Sequence, residues 1–195
     1  MTKIKKLYGL ILAGGYSRRM GQDKALMNYH GKPQIEHVYK LLTIPCAEVF
    51  LSKRSDQQTY KLIPFINDDK DFLDHGPIGG ILSAMKAYPD VSWLVMACDL
   101  PFVTEETIQI LMRSRDPQKF ATAFKSAHDG LPEPLCAIWE NHAYSEILEF
   151  LKKDIHCPRK ILINSDTKIL EQENPRWLDN VNEPKEFQEA LKIIR

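Results

Sequence analysis

The chain has 195 residues, 44% of them hydrophobic and 27% charged, which suits a soluble globular domain with a core large enough to stand without disulfide or metal staples. Twenty-six basic residues balance 26 acidic ones, so a broad nucleic-acid surface is excluded and any cationic function must be local. Cys46, Cys98, Cys136 and Cys157 form no C-x-x-C pair, which predicts reduced thiols and a cytoplasmic setting.

The basic start followed by "LYGLILA" mimics a secretion signal, but glycines and charges follow it instead of a cleavage segment. No stretch approaches the length of a membrane span, so no membrane role is expected. "LYGLILA" (7–13) reads instead as a buried strand. A helix is expected over 31–44, where Ile35, Val38, Leu41 and Leu42 share a face. "AEVFLS" (47–52) reads as a strand, and "KLIPFI" (61–66) as one weakened by Pro64. A helix entered through Gly-Pro is expected over 77–88, and a buried strand over 92–98. Thr104 is placed to cap the next helix, with Glu105 and Glu106 in its first turn. Strands are expected at 119–124 and 135–139, and helices at 142–154 and 183–194.

This alternation predicts an α/β fold in three layers, a mostly parallel sheet with helices on both faces, and one domain over 1–195. In such sheets ligands bind beyond the carboxyl ends of the strands. The loops 14–24, 67–77 and 99–103 are therefore the places to look for chemistry.

The first of these loops lies in "LILAGGYSRRMGQDK" (10–24). Gly14 and Gly15 allow a sharp turn and a close approach of ligand to backbone, and turn amides form an anion nest. Arg18, Arg19 and Lys24 add charge for phosphate oxygens. A Gly-Gly pair alone would read as an ordinary turn; the density of cations points to polyphosphate. Neither the P-loop string nor the G-x-G-x-x-G fingerprint occurs. Asp99 follows a buried strand in "MACDLPFV", where a carboxylate can hold Mg²⁺ against phosphates or simply close a turn. "INDDKDFLDHGPIGG" (66–80) carries Asn67, Asp68, Asp69, Asp71 and Asp74, which could equally be a solvated acidic loop. His75, His128 and His156 are scattered and read as no metal set, and Trp93, Trp139 and Trp177 read as packing.

"LAGGYSRRMGQDK" resembles the signature loop of MobA-type molybdenum cofactor guanylyltransferases, and more distantly that of sugar-phosphate nucleotidyltransferases. The resemblance spans the chain and is densest at 10–24, 67–80 and 96–103. It implies a nucleotide-diphospho-sugar transferase-like, Rossmann-like fold. It also implies a Mg²⁺-dependent transfer of GMP from GTP to the phosphate of molybdopterin. By that resemblance Arg19, Lys24 and Asp99 carry the catalysis, with Asp99 on the metal. Leu12, Ala13, Gly14, Gly15, Lys24, Ser52, Asp69 and Asp99 contact the nucleotide. Asp69 fits the family spacing before Gly76-Pro77 best, with Asp68 an open alternative. "NVNEPKEF" and "CPRKILI" resemble acceptor-side segments, which implies roles for Asn180, Asn182 and Arg159. Asn180 and Asn182 could also be turn and cap residues. Glu133, in a Pro-containing strand beside the expected acceptor pocket, receives no catalytic role.

Guanine follows from LAGG, since related cytidylyl members tend to read LAAG. Implied partners are a GTP-binding accessory protein and a molybdoenzyme apoprotein or its chaperone. The alternatives are a molybdopterin cytidylyltransferase or sugar-phosphate nucleotidyltransferase on the same fold, and a non-catalytic nucleotide-binding partner protein.

Overall fold

A computed structural model describes residues 6–13, 23–53, 60 and 63–194. Its elements follow the expected alternation. In chain order they are β1 (Leu7–Leu12), α1 (Gln34–Thr43), β2 (Val49–Lys53), β3 (Phe65–Asn67), α2 (Pro77–Ala87), β4 (Ser92–Ala97) and α3 (Glu105–Arg113). Then come β5 (Ala121–Lys125), β6 (Pro132–Trp139), α4 (Ala143–Lys152), α5 (Pro158–Ile163), β7 (Thr167–Leu170) and α6 (Pro184–Ile194). Short 3-10 turns stand at Lys24–Leu26 and Lys70–Phe72.

The strands form one sheet in the order β3-β2-β1-β4-β6-β5-β7. β6 is antiparallel to both its neighbours, and the other pairs are parallel. The reason is local. A tight connection returns β5 directly into β6, with Gly130 at φ 71° and the Ser126 amide donating to the Leu131 carbonyl at 2.8 Å. A direct hairpin can only join antiparallel strands.

Alternate residues of the central strands feed opposite faces, as a strand buried on both sides requires. Leu7 and Ile11 of β1 join Leu94 and Met96 of β4 under α1 and α3. Tyr8, Leu10 and Leu12 join Trp93 and Val95 under α2, α4 and α5. Gly9 lets α1 approach β1 closely, since an added Cβ would stand 3.2 Å from the Leu42 Cβ. A third apolar cluster of Met27, Tyr29, Val181 and Ala190 docks α6 beside the sheet's carboxyl edge.

Thr104 caps α3 reciprocally with Thr107: its hydroxyl accepts from the Thr107 amide, and its own amide donates to the Thr107 hydroxyl. The third strand is shorter than its apolar run suggests. Pro64 has no N–H to give the ladder, so only its carbonyl takes part, accepting from the Leu51 amide at 2.8 Å. α5 and β7 are additions. α5 is short and is held by Ile161 and Leu162 against β6's face, while β7 is a half-exposed edge strand without alternation. Trp93, Trp139 and Trp177 are buried, and the four cysteines are free thiols. Among the described residues, no helix is long and apolar enough to cross a membrane.

Candidate active site

The site grows from the register of three parallel strands. Leu12, the last residue of β1, pairs with Ala97 of β4 on one side and Ser52 of β2 on the other. The Cys98 amide extends the pairing by donating to the Leu12 carbonyl at 3.2 Å. Ala13 and Asp99 therefore leave the same edge of the sheet, where the backbone turns away from its last ladder bonds.

Lys24 is brought back to that edge by a capped turn. The Asp23 carboxylate accepts from the Ala25 amide at 3.0 Å, and its other oxygen accepts from the Tyr60 hydroxyl at 3.2 Å. Ala25 is fully buried, so the turn has little freedom to slide. The Lys24 Nζ stands 3.6 Å from Asp99 Oδ2 and donates to Asn182 Oδ1. Asn182 arrives from the far end of the chain because the Val181 amide donates to the Asp99 carbonyl at 2.9 Å. Three expected site residues thus meet: Lys24, Asp99 and Asn182.

The side chains of Lys24 and Asp99 are 21% and 26% exposed. Burial lifts the Asp99 carboxyl above its ordinary range, and the Lys24 charge pulls it back down. A partly desolvated carboxylate paired with a single ammonium still favours additional positive charge. Among the described residues, no group of three or more His, Cys, Asp or Glu is arranged to hold a metal by itself. A lone hard oxygen donor of this kind fits Mg²⁺, which takes one or two carboxylates and completes its shell with phosphate and water.

On the β2 side, the Ser52 hydroxyl donates to Asp68 Oδ1 at 2.9 Å. The start of α2 lies hard against this pair: a Cβ on Gly80 would come within 2.3 Å of the Ser52 Oγ. Asp69 is oriented differently. Its amide donates to the Ser83 hydroxyl at 2.8 Å and its carboxylate lies 2.8 Å from the Lys86 Nζ. The Lys86 hydrogen bond, then the Asp71 amide, holds the Asp69 carboxyl below the usual range. The structure thus sets Asp68 beside Ser52 and turns the Asp69 carboxylate toward α2.

Arg159, at the start of α5, bridges the β5–β6 connection and β6. Its Nη1 donates to Asp129 Oδ2 at 2.8 Å and its Nη2 to Glu133 Oε2 at 2.7 Å. Burial raises the Glu133 carboxyl, Arg159 opposes the rise, and the Asp99 charge adds to it. Glu133 therefore feels the Asp99 end of the sheet. Asn180 is exposed in the segment leading to Val181. Gly14, Gly15 and Arg19 lie outside the described residues.

Two participants carry weak sequence signals. Asp23 precedes Lys24 in the signature loop and reads as part of the string; its capping job needs a turn that is visible only in three dimensions. Glu133 has the wrong charge for an anion site, and its meaning depends on Arg159.

A MobA-like NTP transferase domain matches residues 9–169. The chain belongs to this family. This MobA-like chain is 37% identical over 184 residues to a molybdenum cofactor biosynthesis bifunctional protein of Synechocystis sp., covering 93% of the chain and 52% of that relative, about half its length. It is 30% identical to a probable molybdenum cofactor guanylyltransferase of Bacillus cereus, over 98% of each chain. The crystal structure of molybdopterin-guanine dinucleotide biosynthesis protein A from Archaeoglobus fulgidus superposes with a TM-score of 0.73 at 26% identity, covering 95% of this chain and 97% of that one. A CMP:2-keto-3-deoxy-manno-octonic acid synthetase superposes with a TM-score of 0.72 at 14% identity, a likeness of fold alone. The nucleotidyltransferase-like α/β architecture expected from the signature loop is thus the architecture of the MobA-like chain.

Proposed function

We propose that this MobA-like protein, a single nucleotidyltransferase domain over 1–195, transfers GMP from GTP to the terminal phosphate of molybdopterin. An oxygen of the acceptor phosphate forms a bond to the α-phosphorus of GTP. The bond from that phosphorus to the bridging oxygen breaks, and pyrophosphate leaves. The observation that carries the reading is the meeting of Lys24, Asp99 and Asn182 at the carboxyl edge of β1 and β4, in a chain whose near-full-length relatives bear the guanylyltransferase name.

The chemistry asks for positioning and charge more than for covalent help. The backbone of Leu12 and Ala13 would lie along the triphosphate, with Gly14, Gly15 and Arg19 from the same loop. Lys24 would release Asn182 and meet the phosphates as a point charge, stabilising the negative charge that builds on the leaving pyrophosphate. Asp99 would hold Mg²⁺, which when bound neutralises phosphate oxygens. Ser52 would face the nucleoside part, and Asp69 would do so on releasing Lys86. Arg159, Asn180 and Asn182 would receive the acceptor. Its phosphate is already anionic near neutral pH, so no protein base is needed. A GTP-binding accessory protein and the recipient molybdoenzyme or its chaperone are the partners this product calls for, in the cytoplasm.

The test is calorimetric binding of GTP, CTP and ATP with and without Mg²⁺, followed by pyrophosphate release with molybdopterin as acceptor. A Mg²⁺-strengthened preference for GTP, with acceptor-dependent release, is the expected result. Preference for CTP would overturn the guanine assignment resting on the LAGG string. Binding without any acceptor-dependent release would overturn the reaction.

A further inference from the structure

The loop carrying Asp99 has left the sheet, yet its backbone is held at every second carbonyl. The Asp99 carbonyl accepts from the Val181 amide at 2.9 Å. The Pro101 carbonyl lies 3.0 Å from His30 Nε2. The Val103 carbonyl is bonded by the His37 ring. The stretch is a turn, with the Val103 amide donating back to the Leu100 carbonyl at 3.5 Å, so these tethers hold a folded loop in place. Between the last two, Phe102 packs into the cluster of Met27, Tyr29 and Val181.

The two histidines stack on each other, with ring centroids 3.7 Å apart and planes 11° from parallel. His37 comes from α1. His30 comes from the turn just before it, which the Asn28–Pro33 bridge and the Gln34 amide bond to the Met27 carbonyl at 2.8 Å hold in shape. The buried His37 Nε2 has no hydrogen-bond partner, which suits a neutral ring donating through its other nitrogen. Burial, with Lys32 adding to it, lowers the proton affinity of both rings, and at His37 the His30 charge and Lys40 lower it further.

We propose that His30, stacked on His37, is a positioning residue: through its N–H to the Pro101 carbonyl it fixes the loop that aims Asp99 at its cation. This rests on the reading of Asp99 as the Mg²⁺ residue. Second-layer contacts of this sort set the affinity of the residue they orient, and losing one typically costs 10–100-fold in metal affinity. The Gln Nε2 can stand about where the His Nε2 stands and donate to the same carbonyl, whereas Phe keeps the ring and the stack but has no N–H.

The experiment compares wild type, His30→Phe, His30→Gln and Asp99→Asn. GTP binding is measured by calorimetry across a Mg²⁺ titration, with thermal melts alongside. His30→Phe is expected to raise the Mg²⁺ concentration needed for half-maximal strengthening of GTP binding about 10-fold. Metal-free GTP binding should stay within about two-fold of wild type, and His30→Gln should recover most of the loss. Equal behaviour of the Phe and Gln variants, or an equal loss of metal-free binding, would reduce His30 to packing and overturn the proposal. If Asp99→Asn keeps the full Mg²⁺ effect, the reading of Asp99 itself fails, a separate result. Should His30→Phe not fold, His37→Asn, which can keep the N–H to Val103, against His37→Leu makes the same comparison. Indistinguishable Mg²⁺ titrations there would also overturn the clasp.

Discussion

The Lys24 ammonium donates to the amide oxygen of Asn182, 158 residues further along the chain. The signature loop and the turn before the last helix are thereby one site, joined by a side-chain contact. The same ammonium stands 3.6 Å from Asp99, so it is parked between a neutral acceptor and a carboxylate. A phosphate arriving at this edge would compete with both.

Lys24→Ala should lower turnover about 100-fold or more, the scale of losing one preorganised charge contact at a transition state. Lys24→Arg should not restore it. A planar fork cannot replace a compact ammonium between Asn182 and Asp99. Steady-state rates of pyrophosphate release check both; wild-type turnover in Lys24→Ala would remove the residue from the mechanism.

Arg159 and Glu133 form a pair in which the carboxylate is 13% exposed and the guanidinium 32%. Arg159→Ala would leave Glu133 desolvated without its partner, which should destabilise the fold by about 2 kcal/mol, below the full cost of breaking a deeply buried pair because Arg159 is partly solvated. Glu133→Gln should cost less than half of that, since the amide oxygen can still accept from Nη2 and no buried charge remains. Urea unfolding of the two variants gives the comparison, and equal losses would contradict it.

Gly80 and Ser52 should couple. A Cβ at 80 meets the Ser52 Oγ at 2.3 Å, but the Ser52 Cβ at 3.3 Å. Gly80→Ala should therefore displace the hydroxyl from Asp68 and cost about 1–3 kcal/mol by overpacking. In a Ser52→Ala background the same change should cost at least about 1 kcal/mol less, a coupling within the range for touching residues. A double-mutant cycle by denaturant unfolding measures it; additive losses would show that the clash is relieved elsewhere. Gly79→Ala has no such remedy, because its Cβ would meet the Phe72 backbone carbonyl oxygen at 2.3 Å.

The His37 imidazole has its pKa lowered to about 4, chiefly by burial and then by the charge of His30. The unfolded chain takes up this proton near the ordinary 6.5, so between those values the unfolded state binds more protons than the folded one. Stability should fall as pH drops from about 6.5 to about 4, by at most roughly 3 kcal/mol from this residue, and the term should be flat below that. His37→Asn should flatten the pH dependence of the urea midpoint in this window. An unchanged slope would mean that other groups set it.

Much of the fold was legible because its central strands are short apolar runs between glycines and polar turns. "LYGLILA" and "SWLVMAC" are buried on both faces, and Leu10, Ile11, Leu94 and Val95 have no exposure at all. α5 was not legible, since a six-residue helix is too short to show a period and owes its existence to the face of β6. The reversal of β6 was hidden for a similar reason. Apolar content fixes burial but not direction, and only the tight return through Gly130 turns that strand around.

The sequence by itself determined the chemistry on offer: a glycine pair followed closely by basic residues, a carboxylate after a buried strand, and a family signature joining them. It could not determine which carboxylate meets which cation. Asp69 and Asp68 are neighbours in the chain, yet one faces Lys86 and the other Ser52, because successive backbone positions point to different sides. The counter-charges of Arg159 show only in the fold, which sets Asp129 and Glu133 against it. Those pairings depend on distances across the folded chain, which the tertiary structure alone decides.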